Sequence, residues 1–149
     1  MLHPYSLIIP LLILMPNLLF MKWKPINVPA DMPKQNTLLS AAEGIGRTGV
    51  FALPLFYTVQ GDTSYEIAAL IGMALSLGLY YLGWARFFSG NRKYALLYSP
   101  MFGIPVPLAV APAAYFLLAS AVLHSPYLLI LGVLFAFSHI INSLKLAPK

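Results

Sequence analysis

Residues 38–59 read LLSAAEGIGRTGVFALPLFYTV, and this stretch indicates what kind of fold the chain adopts. It is apolar over the length of about 20 residues that a helix needs to cross a bilayer core about 30 Å thick. Four further apolar segments, at about 5–21, 66–86, 105–123 and 126–143, have a comparable length. The five segments predict an all-α polytopic membrane protein with five transmembrane helices.

The composition supports this fold class. Hydrophobic residues make up 60% of the chain and charged residues only 9%, whereas a soluble domain has about 25% charged residues. No internal repeat or change of composition marks a second domain, so residues 1–149 are predicted to form one transmembrane helical domain. The net charge of +5 does not indicate nucleic-acid binding, because the basic residues lie at the ends of apolar segments, where they report orientation.

The basic residues predict the topology. Of the nine Lys and Arg residues, all except Arg47 lie before the second segment, after the third or after the fifth. They are Lys22, Lys24, Lys34, Arg86, Arg92, Lys93, Lys145 and Lys149. With five crossings they share one side of the membrane, while Asp62 and Glu66 lie on the other. The positive-inside rule then predicts an N-terminus outside and a cytoplasmic C-terminus, in what we expect to be a prokaryotic plasma membrane.

The fourth segment is interrupted by proline. Residues 94–123 are too long for one upright crossing and contain Pro100, Pro105, Pro107 and Pro112. A residue that precedes proline is pushed out of the α region, so we expect the helix to begin near 105–107. Residues 94–104 would then lie at the cytoplasmic interface or dip back into the protein.

Glu43 and Arg47 lie inside the second segment, where an ionisable side chain costs about 2.5–3.5 kcal/mol unless it is paired or hydrated. They are four residues apart, with Glu on the N-terminal side, which is the better order for an ion pair on one helix face. A structural ion pair is the alternative to a functional one, but burying two charges is a poor way to gain stability.

Polar side chains on the other segments are predicted to meet this pair. Helical side chains lean toward the N-terminus of their helix, which places six residues in one layer on the cytoplasmic side. They are Asn17, Glu43, Arg47, Arg86, His139 and Asn142. The outer half offers only scattered hydroxyls, such as those of Thr58, Tyr115 and Ser120. This asymmetry is the strongest functional signal in the sequence.

Each residue of the layer also has a structural interpretation. Arg86 is at the end of a segment and suits an interfacial anchor, Asn17 and Asn142 suit hydrogen bonds between helices, and His139 suits a structural hydrogen bond. We expect no metal site, because no second His or carboxylate stands at ligand spacing from His139, and no cofactor.

Common catalytic motifs are absent or misplaced. Residues 44–49 read GIGRTG, but the dinucleotide fingerprint requires a preceding strand in a βαβ unit, whereas these residues lie in an apolar helical run. The glycines are better explained by close helix packing, with Gly46 and Ala42 at small-x-x-x-small spacing. The chain has no Cys, and no Walker A, HExxH or GxSxG motif.

Because the polar side chains are confined to the cytoplasmic side, the protein suits an amphiphile in the inner leaflet better than a solute that crosses the bilayer. We therefore expect a cytoplasmic-side intramembrane pocket that binds or chemically modifies an amphiphilic lipid or isoprenoid-type molecule. Glu43 would act as general acid or base, His139 as second proton carrier and Arg86 as anion anchor. Arg47, Asn17, Asn142 and Tyr98 complete the substrate-binding set. The alternatives are a small-solute transporter or channel that works as a homo-oligomer, and a structural or accessory membrane subunit.

Overall fold

The computed structural model describes residues 1–148, and within that range it is all-helical, with no strands. The helices are α1 (Ile8–Lys22), α2 (Thr37–Ala52), α3 (Ser64–Ser89), α4 (Pro107–Val122) and α5 (Pro126–Leu146). Short 3₁₀ turns precede α1 (Pro4–Leu7), follow α2 (Leu53–Phe56) and lie between α3 and α4 (Tyr94–Leu97). Each of the five predicted segments is therefore one helix, and the all-α class is confirmed.

Three helical segments are long and apolar enough to cross a membrane: Pro4–Lys22, Ser64–Ser89 and Pro126–Leu146. They indicate an integral membrane protein. α4 is apolar but shorter, and α2 and α4 each have 16 residues, or about 24 Å of helix. The five-crossing topology and its orientation stay predictions.

Consecutive helices run in opposite directions, so the bundle has two ends. At one end Tyr94 donates through its hydroxyl to the Leu146 carbonyl (3.1 Å), and Ile26 exchanges backbone hydrogen bonds with Arg92 and Tyr94. We call this the basic end, because it carries Lys22, Lys24, Lys34, Arg86, Arg92, Lys93 and Lys145. At the opposite end the His3 N–H donates to Leu55 and the Gln60 N–H to Val122.

The helices pack in the order α2, α5, α4, α3, with α1 held mainly on α3 and not packed closely against α2. The core between them includes the fully buried side chains of Val50, Phe87, Phe116, Leu123 and Leu128. Large apolar side chains such as Leu75 and Phe137 are exposed on the outer faces. A continuous apolar exterior is what a helix bundle presents to lipid.

Gly46 lets α2 and α5 approach closely. A Cβ atom at this position would lie 2.6 Å from the backbone nitrogen of Phe135 and 2.8 Å from its Cα. A Cβ atom at Gly44, two residues earlier, would meet nothing within 4 Å. The close approach at Gly46 is what brings the polar residues of α2 within reach of those on α5.

Tyrosine hydroxyls attach α1 to α3. Pro16 lacks an N–H and therefore leaves the Leu12 carbonyl without its helical donor. The Tyr81 hydroxyl donates to that carbonyl at 2.7 Å, and the Tyr80 hydroxyl donates to the next carbonyl, of Ile13, at 3.3 Å. Pro16 and Tyr81 thus act together, because the proline frees the Leu12 carbonyl and the tyrosine hydroxyl satisfies it.

α4 begins at Pro107, within the predicted interval. The preceding Val106 is outside the right-handed α region, as predicted, but it is left-handed (φ 41°, ψ 58°) rather than extended. Its carbonyl accepts hydrogen bonds from the N–H groups of Ala109 (2.8 Å) and Val110 (3.1 Å). A β-branched residue rarely adopts this conformation, and Val106 is held in it while almost completely buried.

Candidate functional site

Three donors converge on the Glu43 carboxylate between α2 and α5. Arg47 donates through Nη2 to Oε1 from one turn further along α2. From α5, His139 donates through Nδ1 to Oε1 at 2.9 Å, and Asn142 donates through Nδ2 to Oε2 at 2.6 Å. Both carboxylate oxygens are occupied, and all of the hydrogen bonds are ones that the carboxylate accepts.

Helix geometry explains why these four residues meet. Glu43 and Arg47 are separated by four residues, and His139 and Asn142 by three, so each pair occupies one helix face. Gly46 lies three residues after Glu43, on the same face, and allows the two faces to touch. Only 15% of the Glu43 side chain and 21% of the His139 side chain are exposed, against 53% for Arg47.

The His139 imidazole is held in one orientation. Its ring stacks on Phe135 with centroids 4.9 Å apart and planes 15° from parallel. Because a carboxylate accepts at Nδ1, the neutral form of the ring carries its proton on Nδ1. Nε2 then carries the free lone pair, and within residues 1–148 no side chain or backbone group hydrogen-bonds to it.

A cavity of about 350 Å³ lies beside this cluster and takes lining residues from all five helices. Its polar lining is Asn17, Arg47, Tyr80, Tyr98, His139 and Ser143. Its apolar lining is Ile13, Leu14, Phe20, Phe51, Trp84, Leu97, Leu108, Ala109, Pro112 and Phe135. Four of the seven predicted site residues, namely Asn17, Arg47, Tyr98 and His139, therefore share one cavity.

The wall opposite His139 is formed by α1 and α3. Asn17 donates through Nδ2 to the Tyr80 hydroxyl at 2.8 Å and to the Ile13 carbonyl at 2.9 Å. Tyr98 lies outside the helices, between α3 and α4, and its ring contacts Tyr94 with centroids 5.0 Å apart. Burial raises the pKa of the Tyr98 phenol, so its hydroxyl stays neutral and serves as a hydrogen-bonding group.

Glu43 and Asn142 line the back of this site rather than the cavity itself. Asn142 is 96% buried, and its Oδ1 has no hydrogen-bond partner within the described chain. Glu43 meets the cavity only through the two side chains that bind it, Arg47 and His139.

Arg86 does not line the cavity. Its Nη1 donates to the Pro100 carbonyl at 2.9 Å, and its Nη2 donates to the carbonyls of Ser99 (2.7 Å) and Leu96 (3.1 Å). Non-helical backbone near a membrane needs partners of this kind. The structure thus gives Arg86 a role in holding the segment before α4, and the anion-anchor role expected from the sequence stays a prediction.

The opposite end of the bundle is more polar than predicted. Glu66 is 2% exposed and accepts the N–H groups of Asp62 and Thr63, both at 2.8 Å, in a capping box at the start of α3. Its Oε1 lies 2.6 Å from His124 Nε2, which is also 2.8 Å from the Tyr65 hydroxyl. The expectation of scattered hydroxyls alone was therefore wrong, although the sequence T-x-x-E at 63–66 is a capping-box signal.

Sequence reasoning also missed Tyr80, Trp84 and Ser143 as cavity-lining residues. A helix period shows which residues share a face, but the choice of neighbouring helix depends on tertiary packing. Among residues 1–148 no group of three or more His, Asp or Glu side chains could hold a metal ion. No family model, curated protein or solved structure matches this chain.

Proposed function

We propose that this protein binds an amphiphilic lipid or isoprenoid-type molecule at its basic end. The polar head would lie in the cavity beside Arg47 and His139, and the apolar tail would extend along the helices. By the positive-inside rule this end faces the cytoplasm, so the ligand would come from the inner leaflet. The observation that carries the proposal is the cavity itself, which has six polar lining residues and whose remaining lining is aliphatic and aromatic.

The position of α1 supports lateral entry. The cavity is lined on one side by Ile13, Leu14, Asn17 and Phe20 of α1 and on another by Arg47 and Phe51 of α2. These two helices are not packed closely against each other, so a tail can leave the cavity between them. The volume of about 350 Å³ is at the small end of the range of about 300–1,000 Å³ for ligand pockets. It suits a head group and the first part of a chain better than a whole lipid.

The Glu43–His139 pair also has the composition of an acid–base unit. Within this proposal the same site could also modify the head of its ligand by general acid–base catalysis, in which the imidazole and the carboxylate transfer a proton. Binding is the first claim to test, because modification depends on it.

Purification in mild detergent, followed by mass spectrometry of extracted lipids, tests binding. We expect the protein to carry a lipid in near-stoichiometric amount and Arg47→Ala to lose it. Arg92→Ala is the matched control, because it removes an arginine from the same end of the bundle but outside the cavity. Ala109→Val provides a second test that leaves all charges in place, since it narrows the cavity and should also reduce the bound lipid.

Folding is checked in every variant by gel filtration and thermal unfolding. Equal lipid content in wild type, Arg47→Ala and Ala109→Val would contradict the proposal. If the purified wild type carries no bound lipid but supports solute flux in proteoliposomes, a transporter or channel, the competing proposal, would be favoured. Loss of folded yield in Glu43→Gln and Arg47→Ala, with no bound lipid in wild type, would favour a structural subunit.

A further inference from the structure

We infer that the ligand of this cavity carries a hydroxyl head, which donates a hydrogen bond to Nε2 of His139, and that Glu43 is a positioning residue behind that imidazole. The inference rests on the proposed function and adds the chemical class of the head group. It also changes the role of Glu43, which the sequence suggested as the group that meets the substrate.

Glu43 does not line the cavity, and three neighbouring side chains bind its carboxylate. Its Oε1 accepts from Arg47 and from His139 at 2.9 Å, and its Oε2 accepts from Asn142 at 2.6 Å. The cavity is lined by Arg47 and His139 and not by Glu43. A ligand in the cavity therefore meets the imidazole, and the carboxylate acts on that imidazole from behind.

The carboxylate determines what the imidazole offers. A neutral imidazole has one N–H and one lone pair, and the hydrogen bond at one nitrogen decides which nitrogen carries each. With Nδ1 donating to Glu43, Nε2 presents a lone pair to the cavity. The best partner for a lone pair is a donor, and a hydroxyl is the donor that an amphiphile's neutral head most simply supplies.

The charge balance at the cavity argues against an anionic head. Among residues 1–148, Arg47 is the only Lys or Arg side chain that lines the cavity, and it is paired with Glu43. Arg86, the other nearby arginine, donates to backbone carbonyls instead. A phosphate or carboxylate head would thus enter a site whose positive charge is already balanced, and its ionised oxygens are acceptors that cannot donate to Nε2.

Binding of three matched probes to the full chain in nanodiscs tests the inference. Didecanoylglycerol has the hydroxyl, its methyl ether has a methyl group in place of the donated proton, and didecanoyl phosphatidic acid carries an anion on the same tails. In a Trp23→Phe background, fluorescence reports on Trp84, which lines the cavity, because the chain has only two tryptophans. We expect the alcohol to bind at least tenfold more tightly than either of the other probes.

The same comparison with geranylgeraniol and its methyl ether distinguishes an isoprenoid tail from an acyl tail. Preference for the alcohol in either series supports the inference. His139→Phe keeps an aromatic ring on Phe135 and should abolish the preference, bringing alcohol and ether to within twofold of each other. Equal binding of alcohol and ether by the wild-type chain, tighter binding of phosphatidic acid, or binding of none of the probes would each overturn it.

Nitrogen-15 NMR measures which nitrogen of the His139 imidazole carries the proton. If Glu43 served only to stabilise the fold, replacing it would not change this tautomer. The chain has three histidines, so spectra of His3→Gln and His124→Gln assign His139. We expect His139 to carry its proton on Nδ1 in the wild-type chain and to lose that single tautomer in Glu43→Gln. A wild-type proton on Nε2 would refute the inference. If lipid still co-purifies in an Arg47-dependent manner, the proposed function survives and only the hydroxyl head is wrong.

Discussion

Replacing Gly46 by Ala should separate α2 from α5 and disrupt the Glu43 cluster without touching any of its members. The new Cβ would lie 2.6 Å from the Phe135 nitrogen, where ordinary contact begins at 3.4 Å. The obstacle is helix backbone, which cannot rotate away as a side chain can, so the helices must move apart by about 0.8 Å. Overpacking of this kind costs about 1–3 kcal/mol.

The same displacement reaches the site. Applied along the bond from Glu43 to His139, it lengthens the oxygen–nitrogen distance from 2.9 Å to about 3.7 Å, which is too long for a hydrogen bond. A bond to a charged group is worth about 1.5–3 kcal/mol, so part of that energy is lost as well. The His139 tautomer should then become mixed, because the carboxylate no longer selects it.

Gly44→Ala is the matched control, two residues away in the same helix. Its Cβ would meet nothing within 4 Å, and the higher helix propensity of Ala favours folding by up to about 1 kcal/mol. Thermal unfolding in detergent should therefore show a lower midpoint for Gly46→Ala and an unchanged or higher one for Gly44→Ala. Equal midpoints, together with an intact His139 tautomer in Gly46→Ala, would refute the claim that helix spacing at Gly46 builds the site.

Three further outcomes are expected. Tyr81→Phe removes the donor to the carbonyl that a proline leaves free and should destabilise the protein by about 1 kcal/mol in detergent unfolding, whereas Tyr127→Phe, exposed and without such a bond, should change nothing. In Arg86→Lys the lysine cannot reach several carbonyls at once, so backbone hydrogen exchange in the segment before α4 should become faster. Unchanged exchange would contradict the role of Arg86 in holding that segment. Because the chain has no Cys, single cysteines can report its orientation. Lys24→Cys should react with an impermeant thiol reagent only from the cytoplasm and Asp62→Cys only from outside, and the reverse pattern would show that the predicted orientation is inverted.

The sequence alone determined the class and the order of the helices. Apolar runs of bilayer length and the prolines that interrupt them are local properties, so the five segments and the start of α4 near Pro107 could be predicted without knowing any neighbour. The shared faces of Glu43 with Arg47 and of His139 with Asn142 were predictable for the same reason, because the helical repeat is independent of context. The depth of a residue along its helix also follows from its position, which is why the polar groups of different segments could be assigned to one end.

Only the tertiary structure decided which helix faces which. The rotation of each helix about its axis and its choice of neighbour depend on packing between distant residues, such as Gly46 against Phe135. That packing brings His139 and Asn142 to Glu43, turns Arg86 toward the carbonyls of its own loop, and joins Tyr80 and Trp84 to the cavity wall. It also places Glu43 behind His139 rather than in the cavity, because two of the side chains that bind the carboxylate, Arg47 and His139, are the ones that line the cavity.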